Sequence, residues 1–238
     1  MSRWAIARLI ASKDLRVERR SRVVANQVIP FAGVTMVIFA FALDAQSART
    51  DEGFVPLLEL VAPGLVWLAA LFSLLLLVQR SFAIESDDGA LDALRVAGVD
   101  PVAIFWGKSI ALAVQLAVLD VILLGAAVLL YGAEVRVEGV VLLVATFIVA
   151  TCGLACVGTL YGSLTAGFSG RETLLPLLVL PVVAPVLIGA TRAVESALGT
   201  GGVALSEGWP WLGLLTVFAI AFAVGGALAF GPLIDEAT

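Results

Sequence analysis

Six apolar runs alternate with short polar segments along this 238-residue chain. They fall at about 23–43, 57–79, 102–130, 139–162, 174–191 and 209–230. A helix needs about 20 apolar residues to cross the hydrocarbon layer, and in that layer it satisfies its own backbone. The pattern therefore predicts an all-α, polytopic membrane protein of six transmembrane helices. No internal repeat is evident, so the inverted-repeat plan of many secondary transporters has no support.

The segment ahead of the first run, 2–20, has helical periodicity but is too polar to span. Ile6, Leu9, Ile10 and Val17 share one face, while Arg8, Arg16 and Arg19 lie elsewhere. The expectation is an N-terminal interfacial amphipathic helix with its basic side toward anionic headgroups; a disordered basic leader is the alternative. Residues 1–22 lack the apolar core of a signal peptide, and none is expected. The organisation expected is 1–22 as interfacial helix, 23–232 as a six-span domain and 233–238 as a tail. The connections at 44–56, 131–138 and 193–208 are acidic or glycine-rich and too short for a domain.

The polar island at 80–100 is the most informative connection. Glu85, Asp87 and Asp88 precede Gly89, then Leu91 and Leu94 follow on one helical face, with Ala97 close by. Asp92 can pair with Arg95. Acidic groups suit a helix start, and Gly98 followed by Pro101 suits a stop. These residues predict a short coupling helix whose small apolar face suits a groove on a partner protein. A solvated loop with accidental helical pattern is the alternative.

Composition agrees with the membrane reading: 61% of residues are hydrophobic and 14% charged, against about 45–50% apolar in soluble domains. Alternating sides from a cytoplasmic N-terminus puts 11 of the 14 Lys and Arg residues inside. They are Arg3, Arg8, Lys13, Arg16, Arg19, Arg20, Arg22, Arg80, Arg95, Lys108 and Arg171; Arg49, Arg136 and Arg192 fall outside. This bias predicts cytoplasmic N- and C-termini. The net charge of −5 says little, because the charges face two compartments.

Little in the chain suggests chemistry of its own. Histidine is absent, which removes the commonest metal and haem ligand and the commonest general base. Cys152 and Cys156 are four apart, not in CxxC spacing, and read as packing residues. Trp106-Gly107-Lys108-Ser109 ends like a phosphate-binding loop, but position 102 is valine where that loop needs glycine. No metal site, no directly bound cofactor, no nucleic-acid partner and no enzymatic activity are expected. Pro176, Pro181 and Pro185 in the fifth run predict a kinked helix packed in the bundle, serving as a hinge or subunit interface or as a static bend. Gln115 and Asp120 are intramembrane polar residues. A buried carboxylate there lines a path or is a protonated packing group, and the two readings stand level.

The whole chain resembles the haem exporter protein B (CcmB) family, among the ABC type-2 permeases. The resemblance rests on four regions: Lys13-Asp14-Leu15-Arg16 with Glu18, Arg20 and Arg22; Ala62-Pro63-Gly64-Leu65-Val66-Trp67; Glu85 with Asp88-Gly89-Ala90-Leu91, then Gly107-Lys108; and Gly158-Thr159-Leu160-Tyr161 followed by the proline block through Pro185-Val186-Leu187. It implies the permease of the cytochrome c maturation transporter, in a bacterial cytoplasmic (inner) membrane. The implied partners are a cytoplasmic ABC ATPase subunit, which holds ATP, a second copy of the permease, a haem-handling membrane subunit, a periplasmic haem chaperone and membrane lipid. In that family ATP hydrolysis is tied to release of the haem-loaded chaperone, and haem would be met through a partner. Glu85, Asp87, Asp88, Gly89, Leu91 and Leu94 would couple to the ATPase. Here Ser86-Asp87 stands where many relatives carry a basic residue. A general type-2 exporter of a lipid, drug or polysaccharide is the alternative function, and a non-transporting scaffold a third.

Overall fold

The computed structural model describes residues 2–22, 24–43, 46–50, 53–87, 93–94, 96–133, 135–166 and 171–236. The N-terminal helix α1 (Arg3–Ser21) opens on Ser2, whose hydroxyl accepts the Ala5 N–H at 3.3 Å. It closes at Arg22, which adopts a left-handed conformation. Glu18 accepts the Val24 N–H at 2.6 Å and so ties the end of α1 to the next element. A π-type turn, Val24–Val28, leads into α2 (Ile29–Leu43). Four long helices follow a short hairpin: α3 (Leu57–Asp87), α4 (Pro101–Tyr131), α5 (Val140–Ala166) and α6 (Arg171–Leu198). Two 3₁₀ turns, Thr200–Gly202 and Leu205–Glu207, precede the last helix, α7 (Gly208–Glu236). Among the described residues, six helical segments are long and apolar enough to cross a membrane.

The fold is thus all-α in its spans, with two departures from the hydropathy pattern. The hairpin pairs β1 (Ser47–Thr50) with β2 (Gly53–Pro56) antiparallel, Thr50 opposite Gly53. And α3 continues past Gln79 to Asp87: hydropathy falls where lipid would end, but the backbone goes on making helical hydrogen bonds.

Helix α5 is the hub, packed against α3, α4, α6 and α7. Lipid tails are as apolar as leucine, so helices in a bilayer associate through close contact rather than exclusion of water. Small residues on α5 permit that contact. A Cβ on Gly158 would lie 2.8 Å from Val78, and one on Gly162 would be 2.5 Å from the Phe82 ring, both on α3. Gly139, just before α5, admits the carbonyl of Ala197 at the end of α6. Elsewhere Trp67 stacks on Phe147 at 5.0 Å, and the Tyr131 hydroxyl donates to the Met36 carbonyl at 2.9 Å, holding α4 to α2.

Helix α1 is seated on α4. Its buried residues are Ala7, Ile10 and Ala11, not the larger Leu9 and Val17, which are exposed. Gly107 makes the seat possible: a Cβ there would meet Ile10 Cβ at 2.7 Å and the Ala7 carbonyl at 2.9 Å. Lys108, only 3% exposed, reaches Asp14 at 3.3 Å. Its ammonium also lies 4.8 Å from the centre of the Phe82 ring, so helices α1, α3 and α4 meet at this cation.

Three substitutions test this packing. Gly162→Val overpacks against Phe82 and should cost about 1–3 kcal/mol, read as a lowered thermal unfolding midpoint in detergent. Gly213→Ala, at an exposed site with open space, should leave that midpoint unchanged or slightly raised. Asp14→Leu removes the carboxylate beside the buried Lys108 ammonium and should lower that midpoint, whereas the double substitution Asp14→Leu with Lys108→Met should recover most of the loss.

Candidate functional site

The connection between α3 and α4 lies beside α1. Ala93, Leu94 and Val96 are helical, with Ala97 N–H donating to the Ala93 carbonyl at 3.0 Å and Val99 N–H to the Leu94 carbonyl at 3.1 Å. Gly98 has φ +68° and ends this turn, as its position in the sequence predicts. Asp100 then caps α4, its Oδ1 accepting the Val102 N–H at 2.9 Å, with Pro101 as the first helical residue. Asp88, Gly89 and Leu91 lie outside the described residues. Glu85 and Asp87 fall in the last turn of α3.

Leu94 faces inward. It packs, half-buried, against a cluster of Ile10, Ile104, Phe105, Cys156 and Phe230, beside Val99 and Trp106. Among the described residues of the connection, Val96 points outward, 89% exposed, which the i,i+3 pairing of Leu91 with Leu94 did not single out. Arg3 Nε meets Asp100 Oδ2 at 2.5 Å, and the Trp4 and Trp106 rings are 5.8 Å apart. The end of the connection, the first turns of α1 and the first turns of α4 therefore form one packed unit, secured a turn further on by Asp14 and Lys108. The pairing of Lys108 with Asp14 is what sequence reasoning missed. The two lie 94 positions apart, so no local spacing could reveal it.

Gln115 and Asp120 are not brought together. Five residues on a helix are about 140° apart in azimuth, and the two side chains face different neighbours. Gln115 lines a polar pocket with Asp14, Glu18 and Arg80 where α4 meets α1 and α3. Asp120, buried, looks toward α5, where the Thr151 hydroxyl donates to its Oδ2 at 2.5 Å. Cys152 is exposed and Cys156 buried, and both thiols are free. Among the described residues there is no cluster of three or more His, Cys, Asp or Glu that could hold a metal.

The prolines do not divide α6, which runs as one helix from Arg171 to Leu198. Its inner face is Leu175, Val179, Val183, Val186 and Ala190. Pro181 and Pro185 lie with Leu177 and Ile188 on the exposed outer face, and Pro176 is half-buried. The helix packs in the bundle through its other face: a spacing of four keeps 177, 181 and 185 on the side away from it.

Comparison with known proteins bears on the whole chain. The sequence pattern of the family described as CcmB protein matches residues 5–232. The protein named Heme exporter protein B from Haemophilus influenzae is 34% identical over 173 residues, covering 71% of this chain and 77% of that protein. Its namesake from Paracoccus denitrificans is 33% identical over 220 residues, covering 91% and 94%. The Pseudomonas aeruginosa protein of that name is 29% identical over 224 residues, covering 92% and 94%. With the family pattern matched almost from end to end and two of these relatives aligned over nearly their full length, this chain belongs to the CcmB protein family.

Proposed function

We propose that this chain is the permease subunit of an ABC transporter for cytochrome c maturation. It would couple ATP hydrolysis by a separate ATPase subunit to haem handling, or to release of a haem-loaded periplasmic chaperone. The name Heme exporter protein B carried by its relatives supports haem as the cargo of the assembly. The bias of Lys and Arg toward the α1 end supports cytoplasmic termini. The chain has no histidine, so haem would be held by a membrane partner while this subunit transmits force.

One observation carries the coupling reading: the connection after α3 is built into α1 and α4 on one side and bears Val96 on the other. An ATPase groove that takes the outward side grips α4 directly through Asp100 and Pro101. A displacement there moves α1 with it, because Arg3–Asp100 and Asp14–Lys108 clamp the two helices together. Phe82, against both Lys108 and Gly162, passes the movement to α3 and α5. A second copy of the chain completes the permease.

Val96→Asp places charge on the outward side of the connection; Leu91→Asp, at a position outside the described residues, tests the coupling face expected from the sequence. Each should cut co-purification of the ATPase by about tenfold, equivalent to about 1.4 kcal/mol, and abolish holocytochrome c formation with insertion and melting midpoint unchanged. Leu94→Asp should lower the midpoint as well, because its side chain is packed inward. Retained ATPase with normal holocytochrome c in Val96→Asp and Leu91→Asp would overturn the coupling role. A deletion strain that makes holocytochrome c normally and shows only lipid or drug phenotypes would instead support the general exporter.

A further inference from the structure

Away from the coupling end, helices α4 and α5 enclose a groove of about 420 Å³. One ridge is a stripe of α4 residues four apart: Ala113, Ala117 and Val121, continued by the exposed Gly125. The other ridge is Val144, Ile148 and Cys152 on α5. Between them lie Asp120 and Thr151, each 4% exposed. The ridges are open to the outside: Val121 is 72% exposed and Ile148 59%.

Apolar ridges alone would suit lipid tails. The floor does not. The Thr151 hydroxyl is spent on Asp120 Oδ2, and Asp120 Oδ1 is buried with no hydrogen-bond partner among the described residues. Asp120 is eleven residues from the Tyr131 end of its helix, or about 16 Å, which in a core about 30 Å thick is close to the midplane. A hydrocarbon tail has no donor to offer there, and headgroups and water lie far off. Small residues such as Ala113, Ala117 and Gly125 are those that let a neighbouring helix approach closely.

We infer that the α4–α5 groove seats a transmembrane helix of a different membrane protein, one that carries a hydrogen-bond donor side chain at the depth of Asp120. Serine, threonine, asparagine, glutamine, lysine or arginine would serve. A second copy of this chain fits less well. Symmetric pairing of the groove would set one Asp120 carboxyl against another, a like-charge pair when both are ionised. The outward hydroxyls of its own spans, Thr35 and Thr216, already donate to the backbone carbonyls of Phe31 and Leu212.

The test places a photo-crosslinking amino acid at Val121 or Val144 in the full chain, in native membranes with all subunits present. Val217, exposed on α7, is the control. The expected product joins the groove to a membrane-spanning segment of another protein, and that segment bears a donor residue. Its yield should persist in Asp120→Asn, which keeps an acceptor, and fall about fivefold in Asp120→Leu, with insertion equal in both. As a check on the unaltered chain, a membrane-permeant maleimide should label Cys152 about fivefold faster in the isolated subunit than in the complex. Lipid adducts only, adducts with a second copy, a captured segment without a donor, yields indifferent to Asp120→Leu, or equal Cys152 labelling would each overturn the inference.

Discussion

Helices in a bilayer gain nothing from leaving water, so whatever holds this bundle must come from contact at short range. That contact is concentrated on α5. Gly158 and Gly162 bring α3 against it, and Gly153 does the same for α7, with a Cβ there 3.3 Å from Phe218. At the turn before α5, Gly139 admits the end of α6. Packing of this kind is stiff, because a closely fitted interface moves between discrete arrangements rather than deforming smoothly. The seat of α1 obeys the same constraint, since Gly107 is what allows Ile10 and the Ala7 carbonyl to come so near to α4.

Two polar devices are set into this framework for different ends. Lys108 and Asp14 are a compensated pair, and such a pair adds less to stability than to register. It selects one position of α1 along α4, while the apolar contacts of Ala7, Ile10 and Ala11 supply the adhesion. Leu9, away from that seat, stays exposed, so the helix can still lie against lipid as an amphipathic segment does. Asp120 is the opposite case, with one oxygen satisfied by Thr151 and the other left over.

What the sequence reveals, and what it hides, follows from the range of each interaction. The six spans are legible because lipid imposes length and apolarity locally. Gly98, Asp100 and Pro101 are legible as stop, cap and first residue because capping chemistry is also local. The docking of α1 is not. Amphipathic reading favours the bulky Ile6, Leu9, Ile10 and Val17, whereas close approach to α4 selects the small Ala7 and Ala11 around Ile10. The prolines mislead for a related reason. Each removes a local hydrogen bond, yet α6 continues through all three as one helix, with two of them on its outer face. Leu94 was read correctly as an apolar helical position. Only the tertiary structure tells that it turns toward Ile10 and Phe105.

Helix α4 links these features. Its first turn is held by the connection and by Arg3, its second by Asp14 through Lys108, and its middle carries Asp120 toward α5. Lys108 and Asp120 are twelve residues apart, about 18 Å along the axis, on one uninterrupted helix. On the proposed coupling, force applied at Asp100 and Pro101 reaches both positions, because a packed helix shifts or tilts as a body. Tilting α4 against α5 would widen or narrow the groove over Asp120 while carrying α1 along. A motor on one face of the membrane could thus change the fit of a helix held near the midplane without haem ever passing through this subunit.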